Sequence, residues 1–256
     1  MINTLKKIIP SPVRPYLRKL WRKIKPPQIT VTTYFPKGCK FEVTTEVVKY
    51  RVTSLGEEEE FLRMLLEEIR PGDVYFDIGS CIGLHALHAA LLGAKVVAFE
   101  PDPSFRRQLV RNIKINNLRR RVRVIGWAVS DKRGKATLFT DGVEGNSPSL
   151  ILVGNRKSVS IETNTLDNAV IRGGLSAPTI MKMDIEGAEI LAIKGMQKLL
   201  SLETAPRCIY IEFHPKHLEG FGSSIDECIG LLRSAGYTEE SAQHRADQMH
   251  FTFRRH

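Results

Sequence analysis

The stretch VYFDIGSCIGLHALHAALLGAKVVAFEP, residues 74–101, predicts one complete βαβ unit. An apolar strand over residues 74–78 runs into a turn that contains Gly79 and Gly83. A helical pattern follows, and a second apolar strand over residues 96–99 ends at Glu100. In open α/β sheets, nucleotide-like ligands bind at the carboxyl ends of the strands. The unit therefore predicts a nucleoside-containing ligand, with Glu100 placed to accept hydrogen bonds from its ribose hydroxyl groups.

The first turn of this unit distinguishes between two kinds of cofactor. A dinucleotide fingerprint, G-x-G-x-x-G, needs a middle glycine so that a pyrophosphate can approach the backbone. Cys81 occupies that position in this chain. S-Adenosylmethionine carries no phosphate, and its amino acid end offers an ammonium and a carboxylate. The pattern Asp77-x-Gly79-x-x-x-Gly83 therefore favours S-adenosylmethionine, with Asp77 meeting the ammonium directly or through water.

The charge of the chain is concentrated near its first residue. The protein has 256 residues, of which 42% are hydrophobic, which is enough for one sizeable core. The formal net charge is +10, but residues 1–27 hold eight of the 38 Lys and Arg residues and no Asp or Glu. The rest of the chain then has 30 basic residues against 28 acidic ones. A nearly neutral body disfavours nucleic acid as a partner.

Cysteine usage and hydropathy indicate a cytoplasmic protein. The four cysteines form no C-x-x-C pair and have no zinc-like spacing, which fits a reducing compartment. No apolar run reaches the roughly 18 residues that a membrane span needs. Within residues 1–27, one helical face carries Leu17, Leu20, Trp21 and Ile24 between basic side chains. This pattern predicts peripheral contact with an anionic membrane surface, and the alternative is that the same face packs on the folded domain.

The chain divides into three predicted parts. Residues 1–27 form the basic amphipathic tail. Residues 28–56 form a small N-terminal β subdomain, because residues 29–52 are rich in Val, Thr, Tyr and Phe and predict two or three antiparallel strands. Residues 57–256 form one α/β domain, in which alternating strands and helices predict a mostly parallel sheet with helices on both faces. Inserted strands over 135–140 and 157–163 interrupt the alternation, and a last strand over 249–254 is expected to run antiparallel.

Six segments of the sequence match a known family in order. They are DIGSCIG (77–83), AFEPDP (98–103), WAVSD (127–131), TLD (165–167), MKMDIEGAE (181–189) and IEFH (211–214). With them, residues 57–214 resemble the FkbM family of S-adenosylmethionine-dependent methyltransferases. The resemblance implies a class I methyltransferase domain, with a Rossmann-like sheet of seven strands and the last strand antiparallel. The family usually has Ala-Asn where this chain has Ser80-Cys81.

The turn and strand-end residues are the predicted cofactor contacts. The βαβ unit and the resemblance together favour S-adenosylmethionine, bound by Asp77, Ile78, Gly79, Ser80, Gly83, Glu100, Pro101, Ala128 and Val129. His85 lies near the same turn, but a histidine satisfied within its own helix is the expectation there.

The predicted catalytic residues are Asp184, Glu186 and His214, which follow two later strands. A hydroxyl acceptor must lose its proton during methyl transfer, and His214 is the preferred base because imidazole titrates nearest neutral pH. Asp184 could instead bind the cofactor's ammonium, orient the acceptor or act as the base. No metal is expected, although Asp184, Glu212 and His214 could together hold magnesium.

The resemblance implies O-methylation of a sugar, a glycan or a natural-product-like small molecule. Two other functions stay open at the level of sequence. One is RNA methylation, and the other is a non-catalytic, membrane-associated role that retains the fold. No pattern in the sequence specifies an oligomeric state.

Overall fold

The computed structural model describes residues 28–32, 38–53, 59–144, 147–152, 154–245 and 247–255. Residues 1–27, with their predicted amphipathic tail, lie outside these ranges. Within the described ranges, no helix is both long enough and apolar enough to cross a bilayer.

Strands and helices alternate through most of the described chain. The strands are β1 (Gln28–Thr32), β2 (Cys39–Val43), β3 (Val74–Ile78), β4 (Lys95–Phe99), β5 (Val122–Ile125), β6 (Ala128–Val129), β7 (Gly134–Thr140), β8 (Lys157–Asn164), β9 (Ile180–Met183), β10 (Cys208–Phe213), β11 (Tyr237–Arg245) and β12 (Gln248–Arg255). The α-helices are α1 (Glu46–Thr53), α2 (Glu59–Glu68), α3 (Leu84–Leu91), α4 (Pro103–Ile115), α5 (Glu189–Lys194), α6 (Gln197–Leu200), α7 (Pro215–Gly220) and α8 (Ile225–Ser234).

The central sheet has seven strands in the order β11-β12-β10-β9-β3-β4-β5. Strands β10, β9, β3, β4 and β5 pair in parallel, and β12 runs antiparallel to both β10 and β11. This confirms the predicted Rossmann-like sheet, mostly parallel with an antiparallel last strand, that the FkbM resemblance implies for a class I methyltransferase domain.

Helices cover both faces of this sheet, because neighbouring residues of each central strand point to opposite sides. Tyr75 belongs to a buried cluster with side chains of α2, α3 and α4. The next residue, Phe76, belongs to a second cluster with side chains of α5 and α8. The two clusters form the core, and the predicted two-sided cover is confirmed.

The sequence did not predict β11 as a strand. Its residues read YTEESAQHR, without an alternation of apolar and polar side chains. In the folded chain β11 is the edge of the sheet and pairs with β12 from Tyr237 to Arg245. Because an edge strand is held by backbone pairing and remains largely open to solvent, it does not need a hydrophobic pattern.

The N-terminal region contains a helix where the sequence predicted a further strand. Strands β1 and β2 form the expected antiparallel hairpin, but Glu46–Thr53 is helix α1. Thr45 Oγ1 accepts a hydrogen bond from the Val48 N–H at the start of this helix, 3.1 Å away. Val48 and Val52, one turn apart, are buried. Capping and the burial of one helical face therefore outweigh the strand preference of these β-branched residues.

The hairpin is fastened to helix α4 by two asparagines. Asn116 Oδ1 accepts from the Lys40 N–H at 2.8 Å, and Asn112 Oδ1 accepts from the Glu42 N–H at 2.9 Å. Asn112 Nδ2 also donates to the Ile82 carbonyl oxygen at 2.9 Å. One buried side chain thus connects the hairpin to the turn between β3 and α3.

An inserted three-stranded sheet lies beside the carboxyl end of the main sheet. Its strand order is β6-β8-β7. Strands β7 and β8 are the two inserted strands that the sequence predicted over 135–140 and 157–163.

Helix α4 is capped by Asp102, whose Oδ1 accepts from the Ser104 and Phe105 N–H groups.

Candidate active site

A cleft of about 630 Å³ opens at the carboxyl ends of β3, β4 and β9. The turns after these strands contribute three acidic residues, Glu100, Asp184 and Glu186, and the small sheet contributes an apolar wall. The lining residues are Gly79, Cys81, Glu100, Ala128, Val129, Leu138, Ser147, Pro148, Leu150, Asp184, Ile185, Glu186 and Ala188. The cleft therefore lies where the sequence predicted a nucleoside site.

The turn after β3 is held against the end of β4. The N–H groups of Gly79 and Ser80 both donate to the Phe99 carbonyl oxygen, at 3.1 and 3.0 Å. Gly79 has φ +86°, a left-handed conformation that glycine adopts without steric cost. Cys81 also has a positive φ, of 50°, which a side chain rarely adopts. The turn is therefore a fixed, locally strained element of the cleft wall.

Glu100 forms the acidic end of the predicted nucleoside site. Its Oε2 accepts from the Cys81 N–H and its Oε1 from the Asp102 N–H, each at 2.8 Å. Burial raises the pKa of Glu100 to about 8, although both N–H groups act to lower it. Each carboxylate oxygen can accept a further hydrogen bond. Glu100 is thus fixed in place, faces the cleft and can still accept from a pair of ribose hydroxyls.

Four of the nine predicted cofactor residues line the cleft, namely Gly79, Glu100, Ala128 and Val129. Asp77, Ile78, Ser80, Gly83 and Pro101 are not among the lining residues. Asp77 is 1% exposed, and its Oδ2 has no hydrogen bond among the described residues. Burial raises its pKa, with Lys182 opposing that rise. Its carboxyl group is buried beside the turn, and its contact with the cofactor's ammonium, directly or through water, stays a prediction.

Lys182 and Asp184 lie side by side at the end of β9. Lys182 Nζ donates to Asp184 Oδ2 at 3.1 Å, and the lysine side chain is 2% exposed. Burial raises the pKa of Asp184, but the Lys182 ammonium and the His214 imidazole outweigh it and hold the pKa below its usual range. Lys182 and Asp184 therefore form an ion pair at the end of β9.

His214 is the centre of a group of carboxylates. Its Nδ1 lies 3.3 Å from Glu189 Oε1, a buried oxygen that also accepts from the Ile185 and Gly187 N–H groups. Its Nε2 lies 3.6 Å from Glu186 Oε2, 3.7 Å from Glu212 Oε1 and 3.9 Å from Asp184 Oδ1. The structure therefore brings the three predicted catalytic residues together.

The charge state of His214 differs from the one assumed from its residue type. Burial lowers its pKa, but the Glu189 hydrogen bond and the Asp184 and Glu186 carboxylates outweigh burial and raise the pKa to about 10. The imidazole is therefore protonated near neutral pH, in this surrounding of four carboxyl groups. The reason for preferring His214 as the base, a pKa near 7, does not hold in the folded chain.

Glu186 is a second cleft-lining acid beside His214, less exposed than Asp184, whose side chain is 25% exposed. It lines the cleft, its side chain is 17% exposed and its φ is +57°. Its Oε2 also lies 3.3 Å from His217 Nδ1 on α7. Strained backbone at non-glycine residues is concentrated at functional sites, and Cys81 and Glu186 are two such residues in one cleft.

Four neighbours of the site were not found from the sequence: Glu189, His217, Gln248 and His250. Glu189 ends the segment MKMDIEGAE, and its position in that motif was the available signal. His250 faces Glu212 because β12 pairs antiparallel with β10, with Nε2 3.0 Å from Glu212 Oε2. Gln248 Nε2 lies 3.2 Å from His214 Nε2. A long-range strand pairing brings these two residues to the site, so no local pattern could reveal them.

Burial also shifts the pKa values of two other residues near the first turn, Cys81 and His85. Burial raises the pKa of the Cys81 thiol to about 12, so it stays protonated and unreactive at neutral pH. His85 is 4% exposed, and burial holds its pKa well below the usual value. His85 does not line the cleft, in agreement with its expected place within the helix packing.

Comparison with known proteins identifies the family. The family described as Methyltransferase FkbM domain matches residues 77–239. The hexuronic acid methyltransferase AglP of Haloferax volcanii is 29% identical over 177 residues, which cover 69% of this chain and 71% of that protein. The 31-O-demethyl-FK506 methyltransferase FkbM of Streptomyces tacrolimicus is 29% identical over 210 residues, which cover 69% of this chain and 76% of that protein.

Among solved structures, the methyltransferase FkbM from Methylobacillus flagellatus is 18% identical with a TM-score of 0.48. The match covers 80% of this chain and 52% of that one. The family match spans more than half of the chain and contains the turn, the Glu100 site and the group around His214. This protein belongs to the FkbM family of S-adenosylmethionine-dependent methyltransferases.

Proposed function

We propose that this enzyme binds S-adenosylmethionine in the cleft and methylates a hydroxyl group of a sugar, a glycan or a natural-product-like small molecule. One observation carries the proposal: a buried acid suited to ribose, Glu100, and an acidic group suited to proton removal, Asp184 with Glu186, line the same cleft. Residues suited to binding the methyl donor and residues suited to deprotonating the acceptor therefore line one cleft.

The cleft residues fit the methyl donor in polarity. Glu100 would accept from the ribose hydroxyls, and the turn at Gly79, which has no side chain at that position, would leave room for the amino acid end. Ala128 and Val129 offer an apolar wall for the adenine ring of the donor. Ser80, Gly83, Ile78 and Pro101 support these positions from behind the lining, and Asp77 supports the turn from its buried site. When bound, the donor supplies a methyl group on a sulfonium sulfur, whose C–S bond breaks with its electron pair staying on sulfur.

The acid–base chemistry falls to Asp184, Glu186 and His214. As the new C–O bond forms, the acceptor hydroxyl must give up its proton. Glu186 would accept that proton, because it lines the cleft and is not paired with Lys182 as Asp184 is. Asp184, fixed by Lys182, orients the hydroxyl. His214 holds Asp184 and Glu186 in place. A placed base typically contributes about 10²–10⁴-fold to such a reaction.

The acceptor class is inferred from the relatives and from the cleft. The relatives carry names that specify a hexuronic acid, a 31-O position of FK506 and, for NoeI of Sinorhizobium fredii, a 2-O position. Leu138, Pro148 and Leu150 form an apolar rim on the side of the inserted sheet, which suits the face of a sugar ring. The Asp184 and Glu186 carboxylates would repel a polyanion, so the rim and these acids favour a small acceptor over RNA.

The test is methyl transfer to defined acceptors. The full chain is incubated with isotopically labelled S-adenosylmethionine and a panel of hexoses, hexuronic acids, glycolipids and RNA, and products are measured by mass spectrometry. We expect labelled O-methyl sugar and a loss of about 10²–10⁴-fold in rate for Glu186→Gln. Glu162→Gln, an exposed residue of β8 paired with Lys135, is the matched control. Labelled RNA without labelled sugar, or equal rates for both variants, would contradict the proposal.

Peripheral membrane contact by residues 1–27 is a separate proposal, supported by the basic and apolar pattern of that segment. Flotation with anionic liposomes is compared for the full chain and a chain lacking residues 1–27. Contact predicts flotation of the full chain alone, weakened by salt. Equal flotation of both chains would contradict a role for the tail.

A further inference from the structure

The geometry points to a binding site for one divalent cation, of the Mg²⁺ or Mn²⁺ type, formed by Asp184, Glu212 and His214. One ligand atom from each of these residues lies within 4.8 Å of the other two. The sequence had left this trio open and favoured no metal. The cation's role, holding the acceptor hydroxyl, rests on the proposed function, whereas the site itself does not.

The three ligand atoms already surround a common point. Glu212 Oε1 is 3.7 Å and Asp184 Oδ1 is 3.9 Å from His214 Nε2. A cation with bonds of about 2.1–2.4 Å places neighbouring ligands roughly 3.0–3.4 Å apart. The two pairs that include His214 Nε2 would therefore have to approach by less than about 1 Å to coordinate one ion, and the Asp184 and Glu212 oxygens lie within 4.8 Å of each other.

Glu212 gives independent support, because it is a buried carboxylate that the described residues do not satisfy. Its side chain is 3% exposed, and Oε2 has no hydrogen bond among those residues. The nearest polar atom is His250 Nε2, 3.0 Å away but outside hydrogen-bond geometry. A buried carboxylate oxygen without a hydrogen bond is costly. A cation beside Glu212 would give this carboxylate a partner.

Neighbouring residues hydrogen-bond to the proposed ligands and orient them, as residues behind the ligands do in metal sites. Glu189 Oε1, 3.3 Å from His214 Nδ1, accepts its proton and directs Nε2 toward Asp184 and Glu212. A carboxylate behind a ligating histidine is a common arrangement around metals. Lys182 holds Asp184 Oδ2 and leaves Oδ1 on the side of His214. A cation bound at Nε2 would replace the proton that this nitrogen carries near neutral pH, and would displace the Gln248 amide group, whose nitrogen lies 3.2 Å away.

The ligand types select the class of cation. Two carboxylate oxygens and one imidazole nitrogen suit Mn²⁺, and Mg²⁺ prefers the oxygen ligands. Three protein ligands leave coordination positions open, and Asp184 and Glu186, which both line the cleft, lie 3.9 and 3.6 Å from His214 Nε2. A hydroxyl oxygen bound there would be a stronger acid. Its proton would pass to Glu186 as the methyl C–O bond forms, and the cation would be unchanged.

The experiment titrates the metal alone. The full chain is treated with EDTA, dialysed and titrated with MnCl₂, and the EPR signal of free Mn²⁺ reports binding without donor or acceptor. We expect one equivalent bound by the wild type, loss of that site in Asp184→Asn and Glu212→Gln, and about 10–100-fold weaker binding in Glu189→Gln. Glu162→Gln should bind as the wild type does. Circular dichroism and melting temperature verify that each variant is folded.

Three results would overturn the site: no Mn²⁺ bound by the wild type, unchanged stoichiometric binding in Asp184→Asn and Glu212→Gln, or equal loss in Glu162→Gln. Methyl transfer to a sugar that proceeds unchanged in EDTA would remove the cation's catalytic role and leave the proposed function intact. Mn²⁺ binding by a protein that methylates no sugar would leave the cation site intact and contradict the proposed function.

Discussion

The backbone of Gly79 packs directly against the carbonyl group of Asp184. A β-carbon built on Gly79 would lie 1.8 Å from that oxygen and 2.9 Å from the carbonyl carbon. The Asp184 N–H in turn donates to the Ile78 carbonyl oxygen at 3.0 Å. The turn of the proposed cofactor site and the backbone of Asp184, a proposed catalytic residue, are therefore one packed unit, and a displacement of either backbone must move the other.

Gly79→Ala should disrupt both halves of the site. The added methyl group meets backbone, which cannot move aside as a flexible side chain can, and the left-handed φ adds its own strain. We expect the free energy of unfolding to fall by roughly 2–4 kcal/mol. Cofactor affinity should fall at least tenfold. Chemical denaturation and isothermal titration with S-adenosylmethionine measure the two effects.

Gly72→Ala separates the clash from the backbone strain. Gly72 has a similar φ of +95°, but a β-carbon there meets nothing within 4 Å. This variant should lose only roughly 1–2 kcal/mol and keep cofactor affinity. Equal losses in both variants would show that the contact with Asp184 contributes nothing.

Glu100→Gln should weaken cofactor binding while the protein stays folded. The amide keeps the shape of the side chain, but its NH₂ group faces a backbone N–H that the carboxylate had accepted from. Loss of a charge-assisted hydrogen bond of about 1.5–3 kcal/mol corresponds to roughly 10–150-fold in affinity. Isothermal titration measures it, with Glu162→Gln as control. Unchanged affinity in the Glu100 variant would exclude this residue from the ribose site.

Cofactor binding should release a proton near neutral pH. The pKa of Glu100 in the free protein is raised to about 8 by burial, and hydroxyl groups that donate to the carboxylate favour its charged form. The bound pKa is therefore lower, so affinity should rise with pH up to about 8 and then level off. Titration at pH 7 in buffers of different ionisation enthalpy should report up to about 0.9 proton released. Heats that do not depend on the buffer would contradict this coupling.

The Asp73–Arg207 ion pair should govern acid stability. Arg207 donates to both carboxylate oxygens of Asp73, at 2.8 and 2.9 Å. Burial raises the pKa of Asp73, but hydrogen bonds from Arg207, the Arg70 N–H and Thr179 lower it to about 2. A pKa depressed in the folded state stabilises fully above the unfolded value, near 4, and this stability is lost as the pH falls through the folded value.

Asp73→Asn should therefore reduce the free energy of unfolding at pH 7. The gap to the wild type should stay constant down to about pH 5 and close between about pH 4 and 2. Urea denaturation over that pH range measures the gap. Asp247→Asn, in an exposed pair with Lys216, should show little difference at any pH. A gap in the Asp73 variant that persists unchanged at pH 2 would rule out this ion pair as its cause.

The sequence by itself determined the βαβ unit, the place of the cleft and the residues at the strand ends. Asp77, Gly79 and Glu100 follow or end apolar strands, and a strand's carboxyl end is a local property that a pattern can show. Asp184, Glu186 and His214 follow two later strands, and parallel strands bring such ends to one edge of the sheet. The alternation of apolar strands with helices along the chain determines this arrangement, and the sequence shows it directly.

The tertiary structure alone decided which side chains meet and how they are charged. Gln248 and His250 reach His214 and Glu212 through antiparallel pairing of β12 with β10, a contact between distant parts of the chain. The raised pKa of His214 depends on carboxylates that converge only after folding, and the burial of Asp77 depends on the packing around β3. Electrostatics and burial depend on distance in space, so the spacing of residues along the chain could not specify them.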